Sequence, residues 1–146
     1  MTNAHPLLHR ADESDRERLI ELIKEFCIID AHSFDLERIG HSLTPLLHND
    51  EYGCAYIVEP SAGYVVLTWG YSLESGGREA LIDEIYLRRR GEGLGAQVMA
   101  QIIDDVRARG CQVMFLETER GNTRARAFYR RAGFAEDDSI WMSLHL

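Results

Sequence analysis

The run Leu81 to Gly95, LIDEIYLRRRGEGLG, sets two carboxylates inside an apolar, strand-like segment and then opens a glycine-dense, arginine-led turn ahead of an amphipathic stretch. Gly91, Gly93 and Gly95 carry no side chains, so backbone N–H groups can close on an anion's oxygens while a following helix points the positive end of its dipole at them. That chemistry suits a phosphorylated ligand. The same glycines also serve a plain tight turn, and the loop by itself does not separate the two. Glu84 is the second feature. Strand alternation places it on one face with Ile82 and Tyr86 and turns Asp83 to the other. A carboxylate in such a strand is costly unless solvated or paired, which marks Glu84 for proton transfer or for holding a cation.

A second segment begins 27 residues beyond Gly95: Asn122-Thr-Arg-Ala125-Arg-Ala-Phe128-Tyr129-Arg-Arg-Ala-Gly133-Phe134. Together the two resemble the GNAT superfamily of acyl-CoA-dependent N-acyltransferases. Arg90-Gly91-Glu92-Gly93-Leu94-Gly95 is similar to that family's Arg/Gln-x-x-Gly-x-Gly/Ala pyrophosphate loop. Asn122, Ala125, Tyr129, Gly133 and Phe134 are similar to its N-x-x-A-x-x-x-Y-x-x-x-G-F signature. The motifs cover residues 80 to 135. The family usually has a few more residues, often with a proline, between strand and loop, whereas here Leu87 runs straight into Arg88-Arg89-Arg90. That departure leaves the contacts of residues 86 to 89 open and the glycine spacing intact.

The resemblance implies an N-acetyltransferase that moves an acetyl group from acetyl-CoA, its donor substrate, to a primary amine of a small molecule or peptide by direct attack in a ternary complex, without a metal. It implies that N–H groups of Arg90, Gly91, Glu92, Gly93, Leu94, Gly95 and Ala96 hold the donor's pyrophosphate. The pantetheine arm would pair strand-like along Ile85, Tyr86 and Leu87, with Asn122, Arg124, Ala125 and Phe128 completing the donor site. Tyr129 is implied as proton donor to the departing thiolate. A phenol of pKa ~10 stays protonated near neutrality and can donate to a thiolate whose acid has pKa ~8.5. Packing under the sheet is the other reading of Tyr129, as helix capping is of Asn122.

The need for a base depends on the acceptor: a lysine-like amine of pKa ~10.4 is ~0.1% neutral at pH ~7.4, whereas an α-amine of pKa ~7.7 is roughly a third neutral. Glu84 fits as general base or as a clamp on the acceptor's cation, and Glu117 or Glu119 could do either job through a water. Acceptor recognition falls to the connection Asp30 to Asp35 with Phe34, and to Trp69 and Tyr71, alongside Glu84 and Glu117. These rings suit an amine cation and suit an ordinary core equally well.

Elements must position these residues. Ser14-Asp-Arg-Glu17 reads as a capping box for a helix over 14 to 28, and a weaker helix follows over 35 to 48 with Pro45 near its end. Tyr52 to Val58 and Tyr64 to Tyr71 read as a hairpin, and 80 to 87 as the next strand. Leu94, Val98, Ile102 and Val106 keep a four-residue step in a helix over Gly93 to Arg109. A strand over Gln112 to Glu117, a helix from Asn122 to Gly133 and a last strand at Ile140 to Leu146 complete the order β-α-α-β-β-β-α-β-α-β. The expected class is α/β (α+β): a mixed, mostly antiparallel sheet flanked by helices, in one domain over 1 to 146.

Composition excludes other classes. A chain of 146 residues, 45% hydrophobic and 27% charged, has the makings of a packed core. A net charge of −8 argues against a nucleic-acid binder. Yet Arg88, Arg89, Arg90, Arg120, Arg124, Arg126, Arg130 and Arg131 gather in the two motif segments, as a polyanionic donor would require; Arg130 and Arg131 read better as a solvated helix face. No apolar run is long enough to span a membrane, and the first residues lack the basic start and apolar middle of a signal peptide, so the expectation is cytoplasmic. Cys27, Cys54 and Cys111 are scattered, and the six histidines, His5 among them, show no metal-ligand spacing. A homodimer is compatible with all of this. Two rival readings remain: a non-catalytic acyl-CoA-binding or sensor module, which would need neither Tyr129 nor Glu84, and a dinucleotide-binding oxidoreductase. The latter matches Gly91-x-Gly93-x-x-Ala96 with Glu117, but three arginines stand where a buried strand end belongs.

Overall fold

Asp12 starts the helical part of the chain. Its carboxylate accepts from the Ser14 N–H at 2.8 Å while Asp15 accepts from the Asp12 N–H at 3.0 Å, closing a capping box one short turn earlier than the expected Ser14–Glu17 pair. In this computed structural model, which describes residues 7–146, helix α1 then runs Arg16–Ile29 and α2 runs Leu36–His48, continuing through Pro45. The first residues and His5 lie outside the described part. Five strands follow the expected order: β1 (Leu8–Arg10), β2 (Gly53–Val58), β3 (Gly63–Ser72), β4 (Gly77–Leu87) and β5 (Val113–Leu116), with α3 (Leu94–Ala108) between β4 and β5 and α4 (Thr123–Arg131) after β5. The sheet order is β1-β2-β3-β4-β5, antiparallel except for the parallel pair β4 and β5.

Alternation in β2 and β3 builds two cores, one on each face. Ala55, Ile57, Tyr64 and Val66 meet Leu19, Leu22 and Ile23 of α1 and Leu43 and Leu47 of α2. Cys54, Tyr56, Val65 and Leu67 meet Val98, Met99, Ile102 and Val106 of α3. Each fully buried aliphatic side chain stabilises the fold by about 1.5–3 kcal/mol, so these interfaces hold the helices to the sheet.

Two irregularities in β4 matter for function. Val66 pairs with Glu84 and Leu67 with Ile82, so Asp83 is the extra residue of a β-bulge. The bulge resets the alternation: Ile82, Ile85 and Leu87 pack on the α3 side, while Tyr86 packs on the α1 side. Glu84 therefore does not share a face with Ile82, as plain alternation predicts; it shares one with Tyr86 and points under α1. The second irregularity is a split. β5 pairs β4 only from Glu79 to Ile82, and beyond the Ile82–Leu116 rung β4 continues five residues to Leu87 with its β5 side unpaired.

The expected strand at Ile140 to Leu146 is not formed. The segment makes no backbone hydrogen bond among the described residues, and its apolar side chains are exposed. Its alternating pattern is strand-like; what it lacks is a neighbour to pair with.

Candidate active site

Gly91, Glu92 and Gly93 have φ of 95°, 57° and 76°, three successive residues in the left-handed region. Two glycines make this turn accessible, and Glu92, which carries a Cβ, is held there at a cost of about 1–2 kcal/mol. A Cβ added at Gly91 or Gly93 would meet nothing within 4 Å, so these glycines answer to backbone conformation beside open space, not to crowding. The chain then enters α3. Among the described residues the N–H groups of Gly95 and Ala96 have no backbone partner, and that of Leu94 makes only a long 3.4 Å contact with the Gly91 carbonyl. Unpaired donors at the positive end of a helix are the chemistry that suits an anion, and the turn, a candidate cradle, leaves open space in front of them.

The arginines around the cradle divide into two groups. Arg88 is held by Glu25 at 2.9 Å and by the Ser61 carbonyl at 3.0 Å. Arg126 and Arg130 both engage Glu136. Arg89, Arg90, Arg124 and Arg131 are exposed and form no ion pair among the described residues. Gly95 differs from its neighbours in the loop, because a Cβ there would lie 3.0 and 3.2 Å from the Phe128 ring. Its role is to let α3 approach α4, and Phe128 packs against it while also lining a groove between these helices with Ala96, Met99, Ala100, Ile103 and Ala132.

The loops after β4 and β5 both leave from the ends where these parallel strands separate, the place where ligands enter open α/β sheets. The unpaired backbone of Asp83 to Leu87 lines one wall, including Ile85, Tyr86 and Leu87. Glu117 and Asn122 follow β5 at the other. The Asn122 carboxamide oxygen accepts from the Ala125 N–H at 3.1 Å, so Asn122 caps α4 and leaves its amide nitrogen available. One turn further, Tyr129 packs among Phe128 and Phe134, with ring centroids 5.2 and 6.0 Å away. Its hydroxyl makes no hydrogen bond within the described residues, and burial pushes its pKa above the ordinary phenol value, so it stays protonated.

Glu84 comes from the opposite face of the sheet. Burial first, and the adjacent Asp83 carboxylate second, push its carboxyl above the usual carboxylate range; the Tyr64 hydroxyl and His32 pull the other way. Tyr64 is fully buried, and its hydroxyl makes no hydrogen bond of good geometry. Phe26, Tyr64 and Tyr86 form an aromatic wall with centroids 5.5 to 6.3 Å apart, and the Tyr86 hydroxyl donates to Glu25 at 2.9 Å. His32 lies in the Asp30 to Asp35 connection expected to recognise the acceptor, whereas nothing in the sequence marks Phe26 and Tyr64 as more than core. Only the register, Tyr64 opposite Tyr86 and Val66 opposite Glu84, brings Tyr64 to the carboxylate.

Phe34 packs at the edge of the same α1 and α2 core, with the Lys24 ammonium 5.8 Å from its ring centroid. Trp69 and Tyr71 are not brought to Glu84. Their partners on β4 are Ala80 and Arg78, toward the opposite end of the strand. Trp69 donates to the Asp50 carbonyl and is stacked by Arg78 and by Arg109, which caps the far end of α3 from the cradle. The hairpin puts successive residues of β3 about 3.3 Å apart, so Tyr71 stands about 17 Å along the strand from the rung that carries Glu84. Among the described residues no His, Cys, Asp or Glu group converges on a metal position.

The geometry agrees with known proteins. The sequence model described as Acetyltransferase (GNAT) family matches residues 16–134. An L-methionine sulfoximine/L-methionine sulfone acetyltransferase of Pseudomonas aeruginosa is 38% identical over 61 residues, 40% of this chain and 36% of the relative's own length. The solved structure of an integron cassette protein from the mobile metagenome of Cole Harbour Salt Marsh superposes with a TM-score of 0.85 at 27% identity, covering 97% of this chain and 91% of the other. An acetyltransferase-named protein from Arthrobacter sp. FB24 shares the fold at a TM-score of 0.81 and 24% identity, over 100% and 97% of the two chains.

Proposed function

Because this chain belongs to the GNAT acetyltransferase family, we propose that it takes an acetyl group from acetyl-CoA and transfers it to the primary amine of a small molecule or peptide, by direct attack in a ternary complex. One observation carries this reading. The split between β4 and β5 is flanked by a left-handed glycine loop at a helix N-terminus and by a protonated, unpartnered tyrosine. The residues present fit the donor: open space over Gly91 and Gly93 and free N–H groups at Gly95 and Ala96 suit a pyrophosphate, and the unpaired edge of β4 suits an extended amide-bearing arm.

Bound there, acetyl-CoA supplies a thioester carbonyl. The chain's own residues do the rest. An N–H of the β4 segment left unpaired by β5 would polarise that carbonyl. Glu84, on the other face, takes a proton from the acceptor's ammonium, and its raised pKa brings it nearer the neutral range in which a base works best. As the new C–N bond forms and the C–S bond breaks, the Tyr129 hydroxyl gives its proton to the departing sulfur, the nitrogen loses its second proton to become the amide, and that proton restores the Tyr129 phenol. Half-buried Phe26 and Tyr86, with Glu84, form the acceptor wall, and the buried Tyr64 ring packs behind them, a setting for a cationic amine. Methionine sulfoximine and methionine sulfone, named for the Pseudomonas relative, both carry an α-amine, so amino acids head the acceptor panel.

The test is incubation with acetyl-CoA and a panel of amino acids, polyamines, aminoglycosides and peptide N-termini, with release of free thiol as readout. Acetyl-CoA is expected to raise the melting temperature, since a ligand at ~100 times its Kd stabilises by about 2.7 kcal/mol, and NADH is not. An equal shift with both ligands, or with NADH alone, would remove this reading. A shift with acetyl-CoA but no thiol release with any amine would leave a non-catalytic acyl-CoA binder.

A further inference from the structure

Among the described residues, the Tyr64 hydroxyl is the only buried side-chain oxygen or nitrogen without a hydrogen-bond partner. The residue is fully buried, in the core between the sheet and α1. A hydroxyl taken out of water with nothing in exchange is costly, and native proteins leave very few of them, so an orphan of this kind calls for a use.

The register says which group it serves. β3 and β4 pair Tyr64 with Tyr86 and Val66 with Glu84, which makes Tyr64 and Glu84 diagonal neighbours on the α1 face. Diagonal partners in an antiparallel ladder stand about 7–8 Å apart at the backbone, within reach of an aromatic and a long side chain. The neighbouring Tyr86 hydroxyl is already spent on Glu25 at 2.9 Å. Burial first, and the charge of Glu84 next, hold the Tyr64 phenol well above its ordinary value, so near neutrality it can donate a hydrogen bond and does not ionise.

The other titratable and charged groups on this face do not compete for that donor. Asp83, beside Glu84 on β4, raises the proton affinity of Glu84 by its charge. On α1, burial pushes the Cys27 thiol up, so it stays neutral and accepts only weakly, while Glu25 is held by Tyr86 and Arg88. In the connection after α1, His32 is paired with Asp30 at 2.6 Å, and the exposed Arg38 of α2 acts as a charge on Cys27.

We propose that Tyr64 is the positioning residue of the base: its hydroxyl donates to the Glu84 carboxylate when that group is ionised, fixing one oxygen and leaving the other to take the acceptor's proton. This rests on Glu84 serving as the base of the proposed transfer. The two groups stand out of hydrogen-bond geometry in the resting chain and close as the charge forms, as bonds between catalytic groups tighten in the working complex. Inside the low-dielectric core a single donor of this kind has a large effect, and it draws Glu84 back toward ionisation against burial and Asp83.

The test is Tyr64→Phe in the full chain, which removes one oxygen and keeps the shape of the ring. The Glu84 carboxyl is followed by NMR titration of glutamate-labelled protein, its resonance identified by its loss in Glu84→Gln. Losing a hydrogen bond to a charged acceptor is expected to raise the Glu84 pKa by about 1–2 pH units. The acidic limb of kcat/KM, read by thiol release, should move up by the same amount, with activity recovering above it. In the wild-type protein the Tyr64 hydroxyl proton, slowed in exchange by burial, should give a resonance that moves downfield as Glu84 ionises, a readout that needs no variant. A Glu84 titration unmoved by Tyr64→Phe, or a hydroxyl proton indifferent to the ionisation of Glu84, overturns the proposal and makes Tyr64 a packing residue, whatever the activity does. A shifted titration with an unshifted kinetic limb upholds the bond between Tyr64 and Glu84 and removes Glu84 as the base.

Discussion

Replacing Glu84 by glutamine should make the protein more stable and less active, and both effects follow from where the bulge puts that carboxylate. Burial is the largest cause of its raised pKa and the Asp83 carboxylate the next. A group whose folded pKa lies above its unfolded value favours folding below the unfolded value, about 4.3 for glutamate. That contribution is lost as pH rises through the folded value. Wild type therefore carries a penalty at neutral and alkaline pH that Glu84→Gln, isosteric and uncharged, does not. Relief of such functional strain typically yields about 0.5–2 kcal/mol, and for a domain of this size about 1 kcal/mol moves Tm by about 4 °C, so the variant should melt about 2–8 °C higher at pH ~8. The gap should close toward pH ~4, where wild type is protonated as well. Activity should move oppositely: with a lysine-like or polyamine acceptor, kcat/KM at pH ~7.5 is expected to fall ~10²–10⁴-fold and to recover above pH ~10, where the amine supplies its own neutral form. A clamp predicts higher KM and no alkaline recovery. Melting curves and kcat/KM profiles over the same pH series decide the matter. A variant less stable at pH ~8, or a stability gap unchanged between pH ~4 and pH ~8, refutes the burial argument; unaltered kinetic profiles put Glu84 outside the chemistry and turn attention to Glu117 and Glu119.

Tyr129→Phe is expected to lower kcat by ~10²-fold or more with acetyl-CoA affinity nearly intact, and because the hydroxyl has no partner within the described residues, Tm should hardly move. The defect should shrink for donors with more acidic thiols; weaker donor binding at unchanged kcat would instead make Tyr129 a packing residue. Gly93→Asp should fold, since its side chain meets open space, at a cost of about 1–2 kcal/mol for the φ of 76°, yet lose donor binding by calorimetry. Retained binding would place the cradle elsewhere. Gly95→Ala should act through packing: its Cβ, 3.0 Å from the Phe128 ring, costs about 1–3 kcal/mol, and Phe128→Leu should recover part of it in a double-mutant cycle of melting free energies. Strictly additive losses would show that the two sites do not touch.

What was legible in the sequence was whatever a short run of residues decides alone. The four-residue step of Leu94, Val98, Ile102 and Val106 specifies α3 within a residue at each end, and the glycines at 91 and 93 specify a loop that only positive φ satisfies. Hairpin strands came within a residue or two for the same reason, since β-branched and aromatic runs bounded by turn formers are local signals. The bulge was not local. Nothing in IDEIY marks Asp83 as the residue without a partner; that depends on how Val66 and Leu67 of β3 align against it, and one skipped rung moves Glu84 from the α3 face to the α1 face. The same link governs Trp69 and Tyr71: their rungs pair with Ala80 and Arg78, so strand position, not ring chemistry, decides their distance from Glu84.

The arm at 140 to 146 shows the limit of pattern reading from the other side. Alternation of Ile140, Met142, Leu144 and Leu146 establishes that the segment can offer a sheet one apolar face and one row of backbone donors and acceptors. It says nothing about which sheet. A helix satisfies its own backbone and can be read from one stretch of chain, whereas a strand is completed only by a neighbour, which need not belong to the same molecule.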